Sequence, residues 1–211
     1  MESSLPDLEA ILLVGGQGTR LRPLTLGTPK PLLPTAGVPF LAHQLARARS
    51  FGVRRIVFAT SYKAAMFEPE FGDGSAFGLS IEYMTEETPL GTGGAIRNVA
   101  SVLTHDPEGA VVILNGDILS GHRLDRQLDD FETPRDGRQV DVSLHLVEVD
   151  DARAFGCVPT DDAGRVTGFH EKSEHPVTRQ INAPRKRVCE AWTQLEHRRH
   201  WFAGRPRPDR I

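Results

Sequence analysis

Three glycines, Gly15, Gly16 and Gly18, are followed by three cations, Arg20, Arg22 and Lys30. Glycines after an apolar run let the backbone turn tightly and present N–H groups to an anion at close range. The prolines Pro29 and Pro31 flank Lys30, stiffening the backbone that aims its ammonium. Such a cluster suits a polyphosphate. It is not a Walker A loop, because no Gly-Lys-Ser/Thr follows, and Leu21 stands where a dinucleotide fingerprint needs its last glycine. The bland alternative is a solvated loop with scattered positive charge.

Two further segments hold chemistry-bearing residues. Asn115-Gly116-Asp117 follows the apolar run Ala110–Leu114 and puts a carboxylate where it could hold a hard cation bridging phosphate oxygens. Taken alone, the tripeptide is a good turn. Thr85 to Ala95 combines Glu86 and Glu87 with Gly91, Gly93 and Gly94 at the start of a helical pattern. Glycines there admit a flat ring to the backbone. An ionised carboxylate only accepts, so it could receive the two N–H donors on the edge of guanine. Uracil and thymine, with one donor between two carbonyls, suit an amide better. Two solvated acids before a helix would look the same. Later, Gly156 and the adjacent Glu171 and Lys172 could meet sugar hydroxyls and a phosphate, although an exposed ion pair reads identically.

The elements that must position these residues follow from periodicity. Ala10–Val14, Arg55–Thr60, Ser80–Thr85, Ala110–Leu114 and Asp141–Val149 read as strands, the last by alternation of Val142, Leu144 and Leu146. Phe40–Phe51, Lys63–Phe67, Gly94–Leu103 and Leu124–Phe131 read as helices. Strands interleaved with helices predict an α/β domain with a mainly parallel sheet, whose ligands lie beyond the carboxyl ends of the strands.

Composition bounds the rest. The 211 residues have 39% hydrophobic and 25% charged content and a net charge of -3, which gives no reason to expect nucleic acid or an anionic membrane as partner. Two distant cysteines without a His/Cys cluster suit a reducing compartment, and the N-terminus shows neither leader nor span, so a cytoplasmic protein is expected. The eight histidines lack metal-ligand spacing, and no Gly-x-Ser-x-Gly elbow supports acyl transfer.

Taken together, Gly15–Thr25, Pro29-Lys30-Pro31, Leu90–Ala95, Asn115-Gly116-Asp117, Phe169–Lys172 and Ile181-Asn182-Ala183 resemble the sugar-phosphate nucleotidyltransferase family, in family order over residues 9–183. The resemblance implies a Rossmann-like nucleotidyltransferase fold, a mixed, mainly parallel sheet flanked by helices. It implies transfer of a nucleotidyl group from an NTP to a hexose 1-phosphate with release of pyrophosphate, the match being strongest to members that pair GTP with mannose 1-phosphate. Glucose 1-phosphate with UTP or dTTP, and a heptose 1-phosphate with GTP, are the rival pairs. By resemblance, Arg20 and Lys30 are catalytic, and Leu13, Gly15, Gly16, Gly18, Thr19, Glu86 and Gly91 bind the nucleotide. Gly156, Glu171, Lys172 and Asn182 bind the sugar phosphate, and Asp117 binds Mg²⁺. A homo-oligomer is compatible with the family.

The resemblance stops after Ala183. Eight of the 25 Lys/Arg but only three of the 28 Asp/Glu lie in residues 184–211, with both tryptophans. The reading is a 9–183 nucleotidyltransferase domain followed by a basic, poorly ordered, non-family tail from a frameshift or altered terminus. The fold would then be incomplete at its C-terminal end and lack a second metal ligand. The alternative function is a truncated, weakly active or inactive nucleotide-binding remnant.

Overall fold

The computed structural model describes residues 8–88, 90–104, 110–135 and 137–182. Ala183 and the basic segment 184–211 lie outside the described residues. The described chain forms two compact units that meet in sequence between Leu119 and Ser120.

The first unit runs β1 (Leu8–Leu13), a hairpin of β2 (Pro34–Thr35) and β3 (Val38–Pro39), α1 (Phe40–Ser50), β4 (Val53–Thr60), α2 (Glu68–Phe71), β5 (Ser80–Thr85), α3 (Gly91–Ala100) and β6 (Val111–Asn115). Strands β5-β4-β1-β6 form one sheet in that order, with every pair parallel. Parallel strands buried on both faces read as continuous apolar runs, which is why Ala10, Ile11 and Leu12 are all in the core. Along β4 the side chains alternate between two environments. Val57 and Ala59 pack with Ile11 and Val111 against Ala95 and Val99 of α3. Phe58 faces the other way, its ring 5.3 to 6.2 Å from those of Phe67, Phe71 and Tyr83. In α1 the buried residues Phe40, Leu41, Gln44, Leu45 and Ala48 recur at helical spacing. The helix ends where Gly52 adopts a φ of 91°.

The chain passes from β1 to β4 to β5 in one direction, then crosses to β6 on the other side of β1. That reversal is a switch point, and the carboxyl ends of β1 and β6 flank it. At the opposite end of these strands Glu9 is 3% exposed. Its carboxylate accepts from the Thr104 N–H (3.0 Å), the Thr104 hydroxyl (3.0 Å) and Arg55. Arg55 also pairs with Glu82 and donates to the Val102 carbonyl at 2.8 Å. A buried carboxylate with this many donors is a fixed brace.

The second unit contains α4 (Leu124–Glu132), which buries Leu124, Gln127, Leu128 and Phe131, and an antiparallel pair of β7 (Leu146–Glu148) with β8 (Gln180–Asn182). Its small core joins Val149, Ala152, Cys157 and Ile181.

Three elements differ from the sequence reading. The strand expected over Asp141–Val149 is a strand only at Leu146–Glu148, opposite Asn182–Gln180. Val142, read as sharing one face with Leu144 and Leu146, is 57% exposed, and His145 and Val149 are the buried positions. The helix expected from Gly94 begins at Gly91, because Glu86 accepts the Leu90 N–H (3.2 Å) and closes the turn into it. The predicted helix at Lys63–Phe67 is a 3₁₀ turn over Ala64–Met66 leading into α2.

Candidate active site

The segment after β1 is held by its own bonds. The Val14 N–H continues the ladder to Ala59 (3.0 Å), and then the chain leaves the sheet. Ser61, just past β4, donates to the Gly15 carbonyl at 2.8 Å; a Cβ at Gly15 would fall 2.5 Å from that hydroxyl. A side chain at Gly15 would therefore displace the Ser61 hydroxyl from this bond. Gly16 is different: a side chain there would meet nothing within 4 Å. Gly18 turns in the left-handed region (φ 61°), and the Thr25 hydroxyl closes the loop onto its carbonyl at 2.8 Å. Thr19, Arg20 and Leu21 form a single 3₁₀ turn with Thr19 and Arg20 exposed. Leu13, the last residue of β1, is partly buried beside Asn115 of β6.

Lys30 and Asp117 meet across the switch point. The ammonium lies 3.0 Å from Oδ2. Two devices fix the turn that carries Asp117. Gly116 passes so close to β1 that a Cβ would lie 2.3 Å from Val14 Cγ1, and its N–H donates to the Leu13 carbonyl at 2.9 Å. From α1, the buried Gln44 amide donates to the carbonyls of Asn115 (3.1 Å) and Ile118. Gln44 and Ser61 were not candidates in the sequence. Their partners are 71 to 74 and 46 residues away, and nothing local marks a polar residue that serves a distant carbonyl.

The carboxyl end of β5 supplies the third part. The Glu86 N–H donates to the Thr60 carbonyl at 2.9 Å, while its Oε2 accepts the Leu90 N–H. Oε1 is buried without a hydrogen-bond partner among the described residues. Such an acceptor is costly unless a donor arrives. Glu87 is exposed, and Gly91 (φ 69°) opens α3 with free space on its Cβ side.

The first unit thus brings together ten of the predicted residues at the carboxyl ends of β1, β5 and β6 and in the loops that follow. The other four belong to the second unit. There Gly156 packs against the His170 carbonyl, whose N–H and C=O bridge to Cys157 (2.9 and 2.8 Å). Glu171 and Lys172 are exposed directly after that bridge, and Asn182 is the exposed last residue of β8.

Among the described residues no group of three or more His, Cys, Asp or Glu side chains gathers to hold a metal. Asp117 offers one hard oxygen donor set. Magnesium uses one or two carboxylates and fills its remaining positions with phosphate oxygens and water, so a lone aspartate beside a glycine-rich loop fits it. Among the described residues no helix is long and apolar enough to cross a membrane.

A glycine turn, a lysine and an aspartate at the switch point of a parallel sheet define a nucleotide-handling α/β domain. The family can be stated as well: residues 9–184 match the nucleotidyl transferase model, and the chain belongs to that family. It is 57% identical over 177 residues to a mannose-1-phosphate guanylyltransferase of Mycobacterium tuberculosis, covering 84% of this chain and 47% of that protein. It is 37% identical to a D-glycero-alpha-D-manno-heptose 1-phosphate guanylyltransferase of Aneurinibacillus thermoaerophilus, covering 80% of this chain and 69% of that one. Among solved structures it resembles HddC from Yersinia pseudotuberculosis complexed with GMP-PN, with a TM-score of 0.66 and 28% identity over 83% of this chain and 74% of that chain. The chain spans about half the length of the mannose-1-phosphate guanylyltransferases it matches.

Proposed function

We propose that this chain transfers a guanylyl group from GTP to mannose 1-phosphate and releases pyrophosphate. The observation that carries the reading is the contact of Lys30 with Asp117 at the switch point. It sets a fixed cation and a hard oxygen donor beside a glycine-rich loop.

In this reading a phosphate oxygen of the sugar attacks the α-phosphorus of GTP. The new P–O bond forms as the bond to the β-phosphate oxygen breaks, and pyrophosphate leaves with that electron pair. No enzyme nucleophile is needed, so the protein contributes positioning and charge neutralisation. Arg20 and Lys30 grip the triphosphate and offset the charge that builds on its oxygens. Asp117 would hold Mg²⁺, which when bound neutralises phosphate oxygens. Leu13, Gly15, Gly16, Gly18 and Thr19 line the nucleotide, and the open space at Gly16 supports a ligand against the backbone there. The buried acceptor on Glu86 suits the paired N–H donors of guanine, with Gly91 admitting the ring. Gly156, Glu171, Lys172 and Asn182 take the sugar phosphate. The setting is cytoplasmic, and the partners are the two small substrates rather than nucleic acid or membrane.

A heptose 1-phosphate is the second acceptor worth testing, because the heptose-1-phosphate guanylyltransferase matches over more of its own length. The test is a matrix of GTP, UTP and dTTP against mannose, glucose and heptose 1-phosphates, repeated with Glu86→Gln. GTP with mannose 1-phosphate should give the highest kcat/KM, and Glu86→Gln should cut the preference for GTP by about tenfold or more. Equal use of UTP or dTTP by the unaltered protein would contradict the guanine assignment. An unchanged preference in Glu86→Gln would remove Glu86 as the reader.

A further inference from the structure

Lys63 occupies the left-handed region (φ 55°), which a lysine adopts at a cost and which persists only where the surroundings demand it. Its side chain explains the demand. The ammonium donates to two consecutive carbonyls, Leu26 (2.6 Å) and Gly27 (2.7 Å), on the limb of the glycine-rich loop that leads to Lys30. Two residues earlier, Ser61 donates to the Gly15 carbonyl on the other limb. Ser61 and Lys63 therefore hold both ends of the segment that carries Arg20 and Arg22. Within the loop, Thr25 closes onto Gly18. The Lys63 ammonium also lies over the Tyr62 ring, 5.3 Å from its centroid.

We propose that Lys63 is a positioning residue: with Ser61 it forms a clasp that holds the phosphate loop open to the nucleotide. Its ammonium is already spent on backbone carbonyls, so it is not a further phosphate ligand. A loop rich in glycine loses much conformational freedom when it is ordered, and glycines give it no side chains with which to order itself. The clasp supplies that order from the end of β4, a rigid element. The kinetic part of this inference rests on the proposed function; the structural part does not.

The test compares Lys63→Met, Lys63→Arg and Lys63→Gly in the full chain by hydrogen exchange with mass spectrometry and by steady-state kinetics. Lys63→Met should raise exchange at the amides of residues 16–28 about tenfold while β1 and β5 keep theirs. It should raise KM for the nucleoside triphosphate more than it lowers kcat. Lys63→Arg should restore most of both effects. Lys63→Gly also removes the ammonium but relieves the backbone strain, and it should match Lys63→Met in loop exchange. Unchanged loop exchange in both Lys63→Met and Lys63→Gly, or exchange rising equally in the core strands, overturns the clasp. If the unaltered protein transfers no nucleotide, the functional reading fails, and the exchange result still decides the clasp.

Discussion

Replacing Asp117 by Asn separates the chemistry of the site from its architecture. The change keeps the side chain's shape and the Asn115–Ile118 turn, which is held by Gln44 and by the fit of Gly116 on Val14. What is lost is the charge facing Lys30. At 3.0 Å and an effective dielectric of about 20 the gross attraction is about 5.5 kcal/mol. Most of that is cancelled by the desolvation of both groups, whose side chains retain 18% and 23% exposure. The net loss of stability should be about 1–2 kcal/mol, between an exposed pair and a fully buried one. A protein with an ordinary stability of about 5–15 kcal/mol remains folded after such a loss. The rate, by contrast, should fall by about 10²–10³, the scale for removing one preorganised electrostatic group. Denaturant unfolding and pyrophosphate release on the same preparation give both numbers. A rate within threefold of the unaltered protein would refute the role given to Asp117. So would a stability loss of about 4 kcal/mol or more, since the pair would then be structural.

The remaining expectations concern different parts of the fold. Gly116→Ala places a methyl 2.3 Å from Val14 Cγ1 and 3.0 Å from the Leu13 carbonyl. It should cost about 1–3 kcal/mol and displace Asp117, and an unaltered melting temperature would show that the turn yields freely. Glu9→Gln removes the charge from the brace of Arg55 and Thr104 and should cost about 3 kcal/mol in denaturant unfolding, without changing kcat of the folded fraction. A matching loss of kcat would argue against the separation of brace and site along the strands. Burial, with Glu68 and Asp73 nearby, pushes the Tyr83 phenol up to about 12. Its hydroxyl donates to the Gly72 carbonyl at 2.8 Å. Because the folded value lies above the ordinary value of about 10, its contribution to stability is complete below pH 10 and is lost as pH rises through about 12. Ultraviolet titration of Tyr62→Phe, which leaves Tyr83 as the sole tyrosine, should give that late midpoint. A midpoint near 10 contradicts it.

Much of the first unit was legible in the sequence because parallel strands are written as short apolar runs. Ser80–Thr85 was read to the residue, and Arg55–Thr60 lacks only its first two positions. The first turn of α3 was not legible. Helical periodicity reads only from Gly94 because glycines are poor helix formers, and only the Glu86 carboxylate on the Leu90 amide reveals where the helix begins. Asp141–Val149 misled for the opposite reason. Its alternation is regular, but a strand needs a partner, and β8 offers three residues. In the site, Lys30 and Asp117 were legible as residue types with a chemistry. Gln44, Ser61 and Lys63 were not, because their roles lie in backbone carbonyls supplied by distant segments.

The central claim is that the loop after β1 and the turn after β6 serve nucleotidyl transfer to a sugar 1-phosphate. Phosphorus NMR of the protein with GTP, mannose 1-phosphate and Mg²⁺ follows every phosphorus atom in that reaction. The account predicts that GDP-mannose and pyrophosphate appear together in equal amounts, and that Lys30→Met abolishes both. GTP that stays intact, or that is hydrolysed with no sugar diphosphate formed, would contradict it.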